Sequence, residues 1–412
     1  MNISLFLFPF LCSFLVGCSA PNTPDVHIPY PQERKYISEN IPPPENIPHL
    51  PPVETKSPNS QYEIAFENQT RAPGTKSAFT PKLVLITDTL HSPWGIAPLP
   101  DGRLLVTEKT GNIRIVSPDG NVNPLKNTPK VNVTRQGGLL GITIDPNFSE
   151  NRTIYFVFSQ KMPGDTTSVA KGSISEDETT LENVHIIYEA TPQYAQLHYG
   201  RILFDKKGFL LVSIGERSDP KTRPLAQDLS TSLKTIRIDT NGNPAPDNPN
   251  WQPKNSKKEI CTFHRNPQLA IHPETGKIWL SEMPRGGDEI NLLTPKNYGW
   301  PIVTYGTEYS GQKVAIQHSD TMQEPIYFWD PSVSPSGMTF YAGKEYTEWN
   351  NNLFVGMLSG QHIARLIIKD EKIIAEERLF EENRERFRDI TQSADNFLYT
   401  ITDSGKIFRI EK

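Results

Sequence analysis

The sequence predicts an all-β array closed into a ring, and three observations carry that prediction. Short apolar runs of four to six residues recur along most of the chain, with Gly, Asn, Asp and Pro turns between them, and the last run echoes the first. The 412 residues carry a formal net charge of −5 with mixed signs, which excludes a strongly basic nucleic-acid surface, so no nucleic-acid partner is expected. Of the three cysteines, Cys12 and Cys18 sit in the first twenty residues and Cys261 stands alone in the body. One thiol makes no internal disulfide, and no CxxC or HExxH spacing offers a zinc site.

The N-terminal elements come first. Leu5 to Val16 form an apolar run too short to span a bilayer, followed by Leu15-Val16-Gly17-Cys18. Residues 1–18 therefore read as a secretory signal peptide. The tetrapeptide resembles the bacterial lipobox, whose cysteine is lipidated and becomes the mature N-terminus. Met1-Asn2-Ile3-Ser4 lacks the usual basic residue, so an ordinary cleaved signal is the alternative. Ser19 after the cysteine fits, by analogy, a lipid anchor through Cys18 on the periplasmic face of the outer membrane. Residues 19–81 hold thirteen prolines and no strand or helix period, so they are expected to form a disordered tether.

From residue 82 to 412 the texture is β. Leu83-Val84-Leu85-Ile86 is an early strand, placed to complete the last unit and remove the open edge between first and last. The first full repeat runs Asp101-Gly102-Arg103-Leu104-Leu105-Val106 into Gly111-Asn112-Ile113-Arg114-Ile115-Val116. Copies follow at 151–158, 207–214, 275–280, 352–355 and 396–401, and Gly405-Lys406-Ile407-Phe408-Arg409-Ile410 closes the series. Six units over roughly 330 residues suit the four-stranded blades of a β-propeller. Glu371 to Asp389, rich in Glu and Arg, is compatible with either an amphipathic helix or solvated strands.

Propellers carry function on loops at the mouth of the central channel, so four loop clusters matter. Arg135-Gln136-Gly137-Gly138 has two glycines where backbone approaches something closely. Leu197-His198-Tyr199-Gly200-Arg201 sets a histidine before a strand. Arg265-Asn266-Pro267-Gln268 and Glu282-Met283-Pro284-Arg285-Gly286-Gly287-Asp288-Glu289 bracket a strand pair. Arg386-Phe387-Arg388-Asp389 puts two arginines on one side of a strand. Residue types alone give a polar channel mouth.

In combination these loops, with His91-Ser92-Pro93-Trp94, Asn297-Tyr298-Gly299-Trp300-Pro301 and Pro335-Ser336-Gly337-Met338, resemble the soluble-type aldose sugar dehydrogenases that depend on pyrroloquinoline quinone (PQQ), the glucose/sorbosone dehydrogenase family. The resemblance runs from about Leu83 to the C-terminus. It implies oxidation of aldose sugars to lactones, with electrons passed to a quinone or dye acceptor. His198 matches the general base, a task that suits imidazole. Gln136, Arg265, Asn266, Asp288, Tyr309, Arg386, Arg388 and Thr402 match cofactor-side positions. A calcium ion is implied on the carbonyls of Met283 and Pro284, and a second on Glu289 and Tyr298.

The pattern also departs from the family. Ser359 stands where the family places a cofactor-binding lysine, and the loops around His198, Pro284 and Tyr298 are each one residue short. A catalytically degenerate propeller, acting as a non-enzymatic envelope binding protein, therefore stays open as the alternative.

Overall fold

The computed structural model describes residues 50–59, 62–160, 166–193, 199–216, 221–251, 256–262, 268–283, 287–308 and 310–412. The leader, Cys18 and the tether up to residue 49 lie outside the described residues. Among the described residues, twenty-four strands form six antiparallel four-stranded sheets. Strand β1 (Lys82–Thr87) precedes the first blade, which is β2 (Pro93–Pro98), β3 (Leu104–Glu108), β4 (Asn112–Val116) and β5 (Val122–Leu125). The second is β6 (Leu139–Ile144), β7 (Thr153–Gln160), β8 (Thr166–Ile174) and β9 (Leu181–Glu189). The third is β10 (Arg201–Phe204), β11 (Leu210–Ser213), β12 (Thr235–Ile238) and β13 (Ile260–Thr262). The fourth is β14 (Gln268–Ile271), β15 (Ile278–Glu282), β16 (Asp288–Leu292) and β17 (Tyr327–Trp329). The fifth is β18 (Pro335–Phe340), β19 (Leu353–Met357), β20 (Ile363–Lys369) and β21 (Lys372–Leu379). The sixth is β22 (Phe387–Gln392), β23 (Leu398–Thr402), β24 (Ile407–Glu411) and, returning from the other end of the domain, β1.

Ring closure is therefore the one expected. β1 pairs with β24 in antiparallel register, Leu83 opposite Ile410 and Leu85 opposite Phe408. The segment of undecided type, Glu371 to Asp389, is strand β21, one turn of 310 helix and the start of β22.

The leading apolar run of each of the six repeats is the second strand of its blade, β3, β7, β11, β15, β19 and β23, and the runs at 111–116 and 405–410 are the third strands β4 and β24. A second strand is covered on both faces, and its alternation sends successive residues into different seams. On β7, Ile154, Phe156 and Phe158 pack toward the first blade, whereas Tyr155 and Val157 pack toward the third. Six apolar clusters fill the six seams between neighbouring blades. Each fully buried Phe or Leu there contributes about 1.5–3 kcal/mol over its exposed state. Cys261 is one of these packed residues, its thiol pushed up to about 11 by burial, and so inert.

The tether expectation needs correction over its second half. Residues 50–59 and 62–81 pack against the outer strands of the fourth and fifth blades. The Phe328 N–H donates to the Gln69 carbonyl, and Glu376 exchanges main-chain bonds with Pro73 and Thr75 at 3.0 Å each. Arg71 donates to the carbonyls of Glu54, Lys56 and Asp330 at 2.6–3.0 Å. Glu54 pairs with Arg378, and Phe79 stacks beside Tyr346 and Trp349. The segment has no apolar period because main-chain and side-chain polar groups, rather than an apolar face, fasten it to sheet edges that would otherwise be open.

Candidate functional site

First strands line the axis, and in each blade the start of the first strand and the end of the second meet one rim. At that rim, loops of the first, second and sixth blades enclose an open cleft of about 280 Å³ lined by Ser92, Pro93, Lys109, Gln136, Arg386, Arg388 and Asp403. Ser92 and Pro93 open the first blade at β2. Lys109 follows β3, Gln136 precedes β6, Arg386 and Arg388 open β22, and Asp403 follows β23.

Local structure explains each placement. A register shift between Phe387 and Asp389 breaks strict alternation at Arg388. Phe387 is buried in the seam with the fifth blade, Arg388 reaches the cleft, and Asp389 turns to the axis. Asp403 then orients both arginines: it accepts from Arg388 Nε at 2.8 Å and Nη2 at 3.1 Å, and from Arg386 Nε at 2.8 Å. Burial raises the Asp403 carboxyl, but Arg388 and Arg386 outweigh it and hold the group below the ordinary value. Thr402 is buried behind this turn, its hydroxyl paired with Ser404 at 2.8 Å, so it supports Asp403 rather than lining the cleft.

The Gly-Gly pair is accounted for by the opposite wall. Gly138 has φ +139°, and a Cβ there would stand 2.2 Å from the Lys109 carbonyl oxygen. The Leu139 N–H donates to that carbonyl, and Gly138 N–H donates to Ser159 Oγ at 2.6 Å. Only glycine lets the Gln136 loop cross the Lys109 backbone so closely, which brings the exposed Gln136 side chain and Lys109 to the same cleft. Lys109 Nζ donates to the Arg135 carbonyl at 3.2 Å. Burial, then Arg388, push its ammonium below the ordinary lysine value, with Asp403 acting the other way. Three basic side chains thus share the cleft with one carboxylate, an arrangement complementary to an anionic ligand.

Directly beneath, Arg201 closes the axis. Its guanidinium pairs with Asp389, donates to Gln268 Oε1, to the Trp94 carbonyl at 3.3 Å and to the Arg388 carbonyl at 2.9 Å, and lies 4.1 Å from the Trp94 ring centre. Four blades meet at this one side chain, and the Arg388 main chain is held by it and by Ser336 Oγ at 2.7 Å.

The remaining expected residues divide. His198, Arg265, Asn266, Pro284 and Tyr309 lie outside the described residues. Asp288 does not line the cleft: it is fully buried, and its Oδ2 accepts from Ser332 Oγ and from the N–H groups of Val333 and Ser334 at 2.7–2.8 Å. It clamps the loop leading into β18. Ser359 is exposed on that same loop system, its Oγ 2.8 Å from Ser334 Oγ, and is likewise outside the cleft lining. Met283 is half-buried just past β15. Glu289 is buried opposite Glu282, and Asn291 Nδ2 lies 3.4 Å and 3.3 Å from the two carboxylates. Burial and then Glu282 push the Glu289 carboxyl well above its ordinary value. The Tyr298 hydroxyl is engaged by the Leu292 carbonyl and by Thr294. Among the described residues no three His, Cys, Asp or Glu side chains assemble into a metal cluster.

Lys109 and Asp403 are the site residues that sequence reasoning missed. Both immediately follow the second strand of a blade, so counting strands to the shared rim was the signal that could have found them.

Comparison with known proteins sets this geometry in context. Residues 90–409 match the Glucose / Sorbosone dehydrogenase family. The chain is 32% identical over 349 residues to an aldose sugar dehydrogenase of Escherichia coli (strain K12), covering 80% of this chain and 93% of that one. The apo crystal structure of the soluble aldose sugar dehydrogenase from Escherichia coli superimposes with TM-score 0.76 at 32% identity, over 81% of this chain and 99% of that one. The PQQ-bound aldose sugar dehydrogenase from Streptomyces coelicolor superimposes with TM-score 0.67 at 26% identity, over 81% and 98%.

Proposed function

The chain belongs to the glucose/sorbosone dehydrogenase family, and from that premise we propose that it is a PQQ- and calcium-dependent dehydrogenase that oxidises aldose sugars to lactones. The observation that carries the reading is the cleft where Lys109, Arg386 and Arg388 face one carboxylate, Asp403. PQQ is a planar quinone bearing three carboxyl groups, and this donor set fits it by charge and by the flat donor fork of arginine. Arg386 and Arg388 hold its anionic groups, and Asp403 keeps both guanidinium groups aimed. Gln136 adds a neutral donor from the second blade. When bound, the quinone supplies the hydride acceptor that no side chain provides.

His198 takes the proton of the anomeric hydroxyl, since an imidazole titrating near neutrality suits that transfer. Arg265, Asn266 and Tyr309 complete the cofactor side, and the carbonyls of Met283 and Pro284 offer calcium the oxygen donors it prefers. Electrons leave to a quinone or dye acceptor. Cys18 anchors the protein by lipid to the periplasmic face of the outer membrane, a reading supported by Leu15-Val16-Gly17-Cys18; Cys18→Ser should release it to the soluble fraction.

The alternative, a cofactor-free binding protein of the envelope, is favoured by Ser359, which leaves its blade without the family's lysine. Reconstituting the purified protein with PQQ, with and without calcium, and supplying aldoses with a dye separates the two. Turnover that His198→Ala abolishes is expected. Tight, calcium-dependent PQQ binding would count heavily against the cofactor-free alternative, and no binding at all would remove the proposal.

A further inference from the structure

We propose that Lys109 is a cofactor-binding residue, the cation that stands with Arg386 and Arg388 to receive the anionic ligand. The inference rests on the reading of the cleft as a PQQ site and adds a residue to it. Position 359 holds a neutral serine bonded to Ser334, so the fifth blade brings no cation to the cleft lining. Lys109 brings one in from the first blade to share the cleft with Arg386 and Arg388.

Its surroundings are not those of a structural lysine. Among the described residues it forms no ion pair, and its Nζ has a single acceptor, the Arg135 carbonyl at 3.2 Å. An ammonium has three donors, so two remain for a ligand. The charged groups facing it are Arg388, which repels it, and Asp403, which is already bonded to both arginines. A half-buried ammonium beside like charge and without its own carboxylate is destabilised in the free protein. An incoming carboxylate or quinone oxygen relieves that repulsion, which concentrates the benefit of the residue in the bound state. The Gly138 crossing holds the Lys109 backbone by the Leu139 N–H, so the side chain enters the cleft from a fixed base.

The test is an equilibrium titration of PQQ into the purified full-length protein, followed by the quinone's absorbance at several salt concentrations. It is run on wild type, Lys109→Gln and Lys109→Arg, with thermal melting of each unliganded protein alongside. Lys109→Gln is expected to weaken binding roughly 10- to 100-fold and to flatten its salt dependence, with melting unchanged. Lys109→Arg, which keeps the charge, should stay within about threefold of wild type. Equal affinity and salt dependence in Lys109→Gln and wild type overturns the inference while leaving the PQQ reading intact. A loss in Lys109→Arg as large as in Lys109→Gln also overturns it, because shape rather than charge would then govern. Absence of binding by wild type overturns the PQQ reading itself.

Discussion

Arg201 and Arg388 sit one hydrogen bond apart at the same end of the ring, yet they serve opposite purposes. Arg201 is 7% exposed and spends its guanidinium entirely on the protein, tying Asp389, Gln268, Trp94 and the Arg388 carbonyl together. Arg388 spends two bonds on Asp403 and turns the rest of its fork to the cleft. Strand β22 supplies both environments, since its irregularity at Arg388 points one side chain to the cleft and the next, Asp389, to the axis. The lesson is a division of labour. A cation satisfied on all sides fixes the blades, and a cation satisfied on one side is left for a ligand.

The comparison breaks most sharply at the axis. Asp389→Ala leaves the Arg201 charge buried and unpaired, which should cost about 3–5 kcal/mol by urea denaturation. A loss below about 1 kcal/mol would mean that Arg201 is not the structural member of the two. The next effect belongs to the cleft. Arg388→Gln should raise the PQQ dissociation constant roughly 10- to 100-fold. It should change stability by less than about 1 kcal/mol, because its Asp403 partner keeps water access. Equal damage to folding from both arginines would erase the distinction.

The smallest effect is a pH dependence. Lys109 faces Arg388, the Asp403 carboxylate and the Arg135 carbonyl, shares the cleft with Arg386, and has its ammonium held below the ordinary 10.5 by burial and then Arg388. Only the protonated form attracts an anion, so PQQ affinity should decline as pH rises toward 10.5, beginning earlier than for an exposed lysine. Lys109→Arg, charged throughout, should flatten that limb in the same titration. A limb of equal steepness in both proteins would assign it to another group.

Much of the scaffold was legible because of where propeller strands lie. Second strands such as β3 and β7 are covered on both faces, so their sequences are almost continuously apolar and stand out between turns. Outer strands gave little signal: β9 is largely exposed along Leu181–Glu189, and β5 holds a proline. The packed half of the proline-rich segment escaped notice because Arg71 and Gln69 fasten it through carbonyl groups, which leave no hydrophobic period. In the cleft, Gln136, Arg386 and Arg388 were readable as loop motifs. Lys109 was not, since what makes it a cleft residue is the crossing of Gly138 over its backbone, a contact between blades that no local pattern encodes. Asp288 shows the converse: the family resemblance implied a cofactor-side carboxylate, and three donors from 332–334 engage its Oδ2.

The most direct measurement is a crystal structure of the full chain soaked with PQQ. The cleft assignment predicts the quinone's anionic oxygens within hydrogen-bond distance of Arg386, Arg388 and Lys109, with the Arg201–Asp389 pair undisturbed beneath. PQQ bound away from those three side chains, or density showing none bound at saturating concentration, would contradict it.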